Sequence, residues 1–144
     1  MGINLDHEFI KPGAMNKTIL LIENDKVLRS NFSDLLELEG FNVLTSDDGW
    51  LGLNLAKVVR PDLIICEINI PSLDGYELLQ ILRDRLKTAK TPFIFLTSQS
   101  KEDGYARAKE LGANDYLTKP VDSRELLAAI NQQLRILPLT SNRA

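Results

Sequence analysis

Cysteine and histidine are almost missing from this chain, which has one of each in 144 residues, Cys66 and His7. A lone cysteine closes no intramolecular disulfide, and Cys66 lies inside an apolar run, so it is expected to be a core thiol in a reducing compartment. His7 falls in an opening stretch without periodicity, so neither a His/Cys metal cluster nor a catalytic histidine is readily built into the body of the fold. No apolar run reaches the length of a membrane span, and the first residues lack the apolar stretch of a secretory signal. The expectation is a cytoplasmic protein with no membrane partner. Charge of neither sign dominates: 17 Lys and Arg against 20 Asp and Glu leave a net charge of -3. No run of Lys or Arg forms a basic stripe, which argues against a nucleic-acid partner. Internal repeats and low-complexity segments are also missing.

What the chain does have is alternation. Its length and 44% hydrophobic content suit one domain around a single core. Met15-Asn16-Lys17 looks like a natural translation start, so residues 1–16 read as a leader or cloning remnant, expected to be flexible. Residues 17–137 read as the domain and 138–144 as a C-terminal tail. Within the domain, short apolar runs at Thr18–Ile22, Asn42–Thr45, Leu63–Cys66, Phe93–Leu96 and Asp115–Leu117 read as strands. Apolar positions at helical spacing lie between and after them: Leu28, Phe32, Leu35 and Leu36; Leu78, Leu79, Leu82 and Leu86; Leu126, Leu127, Ile130, Leu134 and Leu137. Asp25, Asp48, Asp74, Ser100 and Asp122 stand where N-caps belong. Glu77 and Glu125 follow two of them at capping-box spacing, and Gly40 and Gly112 stop the first and fourth helices. Trp50, near Leu53 and Leu55, is expected to be partial core of the second helix; exposure would mark it as a partner contact. Five strands alternating with five helices define an α/β class with a doubly wound parallel sheet.

In such sheets ligands bind beyond the carboxyl ends of the strands. The residues there are Glu23-Asn24-Asp25, Glu67, Thr97-Ser98 and Lys119-Pro120. Acids after the first and third strands, a hydroxyl after the fourth and a lysine after the fifth form a phosphoryl-transfer set. In such a set acids hold Mg²⁺, one carboxylate attacks, and hydroxyl and ammonium groups bind the phosphoryl oxygens.

The segment from Pro61 to Leu79, which delivers Glu67 to a loop before Asp74-Gly75, resembles the phospho-acceptor region of bacterial response-regulator receiver domains of the chemotaxis-Y type. Ile19-Leu20-Leu21-Ile22-Glu23, Phe95-Leu96-Thr97-Ser98 and Gly112 through Pro120 match the same family in order and spacing, over Lys17 to about Leu137. The resemblance implies a flavodoxin-like (βα)5 sandwich with sheet order 2-1-3-4-5. Glu67 takes the phospho-acceptor position in an acidic pocket with Glu23, Asn24 and Asn69. Thr97, with Ser98, is the switch hydroxyl, Tyr116 the aromatic that follows it, and Lys119 the phosphate-pairing lysine before a cis proline bond. It also implies a signalling module and not an enzyme. The partner would be a protein, a histidine kinase or a downstream signalling protein, engaged through the fourth helix, fifth strand and fifth helix (Ser100 to Leu137), with a homodimer as a further option.

Two positions depart from the family. Asn24 stands where a second acid is usual, which removes a first-shell charge, so Mg²⁺ is expected to bind weakly at most, through Glu23, Glu67 and Asn69, and no cofactor is expected otherwise. Glu67 stands where the family has aspartate. Its extra methylene advances the carboxylate by roughly 1.5 Å, and about 1 Å of misplacement can cost ~100-fold in attack. The expectation is a stand-alone pseudo-receiver in which Glu67 mimics phosphorylation. Glu67 as a plain structural partner of Lys119 stays open, as does a conventional phosphorylated receiver of a two-component phosphorelay. A flavodoxin-like electron carrier is the alternative of another class; it is disfavoured because Glu23-Asn24-Asp25 is acidic and glycine-free where a phosphate cradle would be.

Overall fold

The computed structural model describes residues 16–137. The expectations for the leader and for the tail from 138 onward lie outside the described residues, apart from Asn16.

Five strands and five helices alternate along the chain: β1 (Thr18–Ile22), α1 (Lys26–Leu38), β2 (Asn42–Ser46), α2 (Gly49–Val59), β3 (Leu63–Cys66), α3 (Gly75–Arg83), β4 (Phe93–Thr97), α4 (Lys101–Leu111), β5 (Asp115–Thr118) and α5 (Ser123–Leu134). All pairings are parallel, and the order is β2-β1-β3-β4-β5, as the resemblance implies. The continuous apolar runs of β3 and β4 follow from this topology, because a strand covered by helices on both faces has no solvent side to populate with polar residues. Both strands are buried throughout. The edge strand β2 is only partly buried. The strands β2, β4 and β5 each run one residue further than expected, so Thr97 is the last residue of β4 and not the first after it.

Side chains of neighbouring strand residues point to opposite faces and fill two cores. One contains Leu20, Ile64, Phe93 and Phe95 with Ala56, Leu79, Leu82 and Ala108 of α2, α3 and α4. The other contains Ile19, Leu21, Ile65 and Ile94 with Leu36, Leu126 and Ile130 of α1 and α5. Each such aliphatic side chain, fully removed from water, contributes about 1.5–3 kcal/mol. Cys66 is fully buried, and burial, followed by the Glu67 and Glu23 charges, pushes its thiol well above the ordinary value.

The expected caps are in place. Asp25, Asp48, Asp74, Ser100 and Asp122 have extended backbones, and their side chains accept from N–H groups of the first turn. Asp74 and Glu77 complete a reciprocal capping box. Asp122 and Glu125 do not: the Asp122 carboxylate turns to Arg124 N–H instead, one residue short of the box position. Gly112, at φ 101°, closes α4 in the left-handed region.

Three apolar assignments need correction. Leu86 and Leu137 are 88% and 76% exposed, because α3 ends at Arg83 and α5 at Leu134, so continuing the spacing overran both helices. Trp50 is 51% exposed and Leu51 46%; at the start of α2 they face outward while Leu53 and Ala56 turn to the core.

Arg83 then organises the loop that follows α3. Its guanidinium donates to the carbonyls of Thr88, Thr91 and Gly112 and to Asn114 Oδ1, and the Thr88 hydroxyl donates to Leu82 C=O at 2.7 Å.

Candidate functional site

The carboxyl ends of β1, β3, β4 and β5 bring Glu23, Glu67, Thr97 and Lys119 together. Glu23 is placed by its backbone: its N–H donates to Ser46 C=O at 2.9 Å, and its own carbonyl accepts from Arg29 at 2.8 Å. Its Oε2 accepts from Asp25 N–H, and Oε1 accepts from the Lys119 ammonium. Glu67 N–H continues the sheet ladder to Ile22 C=O at 3.0 Å. Lys119 is held likewise, its N–H donating to Thr97 C=O at 2.8 Å.

Glu67 collects donors from three directions. Its Oε2 accepts from the Thr97 hydroxyl and from the N–H groups of Ile68 at 2.6 Å and Asn69 at 3.2 Å. Its Oε1 accepts from Lys119 Nζ at 2.9 Å and Ser98 N–H at 3.4 Å. The residue is only 4% exposed. Burial alone would raise its carboxyl, but the hydrogen bonds and charge of Lys119 and the Thr97 hydroxyl outweigh burial and hold it below the ordinary value. The same contest has the opposite outcome for Lys119: burial disfavours its charge, and Glu23 and Glu67 restore it and hold the ammonium above its ordinary value. Truncating one member of such a set leaves a buried charge unpaired, at about 3–5 kcal/mol.

Tyr116, the aromatic implied to follow the switch hydroxyl, is fully internal at 2% exposed. Its hydroxyl donates to Gln99 C=O at 2.9 Å, with Ser100 C=O at 3.2 Å. Burial, then the Tyr76 and Glu67 charges, pushes the phenol up to about 12. Thr97 Oγ1, which donates to Glu67, also accepts Gln99 N–H at 3.2 Å. A chain of contacts therefore runs from Glu67 through Thr97 to the Gln99 peptide and Tyr116.

Asn24 and Asn69 are exposed; of Asn69 only the backbone N–H reaches Glu67. Ser98 likewise contributes its N–H and not its hydroxyl. Several participants were not singled out from the sequence. Gln99 Nε2 donates to Tyr76 Oη at 3.4 Å, Tyr76 Oη lies 3.4 Å from Gly104 C=O, and the Arg107 guanidinium sits 4.3 Å from the Tyr76 ring centre. A Cβ on Gly104 would come within 2.2 Å of the Tyr116 hydroxyl and 2.9 Å of that of Tyr76. The available signal was Gly104 itself, a costly residue inside a helix.

A tightly held Mg²⁺ does not fit these donors. The Lys119 ammonium bridges Glu23 and Glu67, the oxygens not facing it are bonded to backbone N–H or to Thr97, and no cluster of three potential acidic, Cys or His ligands occurs among the described residues.

The chain belongs to the response regulator receiver domain family, whose model matches residues 19–131. The site is therefore the phospho-acceptor site of a receiver domain, a signalling module, with Glu67 at the acceptor position. It is 38% identical over 117 residues to the cell cycle response regulator CtrA of Brucella ovis, a match covering 81% of this chain and 50% of that protein. The chain thus spans about half the length of the curated relatives it matches. Among solved structures, a putative response regulator from Chloroflexus aurantiacus superposes with a TM-score of 0.79 at 29% identity, covering 83% of this chain and 98% of that one. The receiver domain of the sensor histidine kinase PA1611 from Pseudomonas aeruginosa, solved with magnesium in its active-site cleft, gives 0.78 at 28% identity and covers 83% and 98%. No helix among the described residues is long and apolar enough to cross a membrane.

Proposed function

We propose that this receiver signals through protein contacts in a standing state, without a phosphorylation cycle, and that Glu67 takes the part of the phosphoryl group. One observation carries the reading: the Glu67 carboxylate is bonded to the Thr97 hydroxyl, the Lys119 ammonium and three backbone N–H groups, the kinds of donor that would hold phosphoryl oxygens. With Thr97 drawn towards Glu67, the Gln99 peptide is in place to accept the Tyr116 hydroxyl, and the ring stays inside. Side chains of α4 and β5 frame the face offered to a protein partner, a kinase or a downstream signalling protein. A small cavity of about 120 Å³ opens there beside Tyr105, Lys109 and Tyr116. The Pseudomonas relative binds magnesium in its cleft; here Lys119, between Glu23 and Glu67, takes over the neutralising role and leaves metal binding weak.

The test is Glu67→Gln, which keeps the shape and removes the charge. Because a charge-assisted hydrogen bond is worth about 1.5–3 kcal/mol, partner affinity through the α4-β5-α5 face is expected to fall about tenfold or more. Amide spectra should also show Tyr116 and Gln99 changing environment. Intact mass after incubation with acetyl phosphate and Mg²⁺ is expected to stay unchanged for the wild type. An added phosphoryl mass that Glu67→Ala abolishes would establish a conventional receiver instead. An unchanged affinity in a folded Glu67→Gln protein would leave Glu67 as a structural ion-pair partner only.

A further inference from the structure

Away from the Glu67 site, at the opposite end of the sheet, the molecule carries two charged surfaces of opposite sign, each with a leucine at its centre. The first is the loop between α3 and β4. Arg85, Leu86, Lys87 and Lys90 are exposed there along a concavity of about 630 Å³, and Leu86 is 88% exposed. Asp84 and Asp62 share that wall, but the Asp62 carboxylate is taken by Thr18 N–H at 2.8 Å. Arg83, bonded to the carbonyls of Thr88, Thr91 and Gly112, fixes the loop from behind. Leu86 is therefore held on a braced loop, where little conformational freedom is left to lose on binding. The second surface is the last turn of α1, where Asp34, Glu37 and Leu38 line a concavity of about 410 Å³ and Leu38 is 80% exposed.

The two surfaces cannot satisfy each other within one molecule, because α1 and α3 cover opposite faces of the sheet. Both ion pairs found among the described residues belong to Lys119, so none of these acids or bases is paired within the described fold. In a chain of net charge -3, the concavity at the α3–β4 loop is lined by four cations, Arg83, Arg85, Lys87 and Lys90, against two carboxylates, Asp62 and Asp84, a local positive excess next to an exposed leucine. Its complement in charge and in apolar character is on the same molecule.

We propose that the α3–β4 loop and the end of α1 are the two halves of one contact between copies of this chain. Arg85, Lys87 and Lys90 of one copy face Asp34 and Glu37 of the next, and Leu86 packs against Leu38. The halves are different surfaces, so the contact is heterologous and propagates head to tail, as a ring where the rotation closes and as a growing chain where it does not. It lies at the end of the sheet opposite to Glu67, the strand ends that carry Glu23, Glu67 and Lys119 being at the other end.

Sedimentation and light scattering of the full chain at low salt test the contact. Mass is expected to rise with concentration into the millimolar range and to fall several-fold towards monomer when salt screens the exposed charges. The variant Lys87→Glu/Lys90→Glu presents two acidic surfaces, and the variant Asp34→Lys/Glu37→Lys presents two basic ones. Each alone is expected to associate at least about tenfold more weakly than the wild type, while an equimolar mixture of the two recovers association because every junction again joins opposite signs. All four positions are exposed, and circular dichroism verifies that the variants fold. A wild type that stays monomeric, a single variant that associates like the wild type, or a mixture that stays monomeric would each overturn the proposal. Association through the α4-β5-α5 face would appear as the second of these results.

Discussion

At the scale of single residues, the balance around Glu67 sets a pH dependence whose sign follows from the direction of each shift. The Glu67 carboxyl is depressed in the folded state, so its contribution to stability is complete above the ordinary glutamate value of 4.5 and is lost as pH falls through the lower folded value. The Lys119 ammonium is raised, so its contribution is complete below 10.5 and is lost as pH rises through the higher folded value. Urea unfolding across the acid range is expected to show a shallower loss of stability for Glu67→Gln than for the wild type; equal slopes would mean that Glu67 is not held down by its partners. Gly104 permits a second measurement. The methyl group of Gly104→Ala would come within 2.2 Å of the Tyr116 hydroxyl, so the ring is expected to leave its seat. Its ionisation, pushed up to about 12 when internal, should then move back towards the ordinary range. Tyrosinate absorbance, with Tyr116→Phe as the control, reads the change, and an unmoved titration would show that α4 yields instead of the ring.

Among the elements, α3 and α5 begin with the same Asp-x-x-Glu signature, yet only α3 forms the reciprocal box. Asp74→Ala removes the acceptor of Glu77 N–H, one half of that exchange, and is expected to cost about 0.5–2 kcal/mol by urea denaturation; the other half, from the Asp74 N–H to the Glu77 carboxylate, has no counterpart at α5. This difference indicates how far the sequence could be read. Strands were legible because β1, β3 and β4 are covered on both faces and show as unbroken apolar runs, and helix starts because all five carry a capping side chain. Helix ends were less so: α5 stops at Arg135, whose φ of 58° is left-handed, and nothing in an arginine signals that. Leu86 and Leu137 were therefore carried along by spacing alone. At the site, Glu23, Glu67, Thr97 and Lys119 were legible because each follows or ends a strand. The donors from Ile68 and Ser98 were not, because they are backbone groups, and neither was the Tyr76–Gln99 contact, which depends on how α4 lies across α3.

For the whole molecule, the two cores separate the surfaces that matter. One end of the sheet holds the Glu67 cluster, and the other holds the braced loop and the acidic end of α1, with fully buried Leu20, Ile64 and Ile94 between them. The outward turn of Trp50 also has an optical consequence. It is the chain's single tryptophan, and 51% of it already meets solvent in the folded state. Its emission is expected to be red-shifted in the native protein and to move little on denaturation, and a soluble quencher should reach it almost as easily before unfolding as after. Circular dichroism should meanwhile record the full loss of helix over the same denaturant range. A large blue-to-red shift on unfolding would instead place the indole under cover. With Trp50 lit from the solvent side, the colour of this protein reports on its surroundings and stays nearly silent about its core.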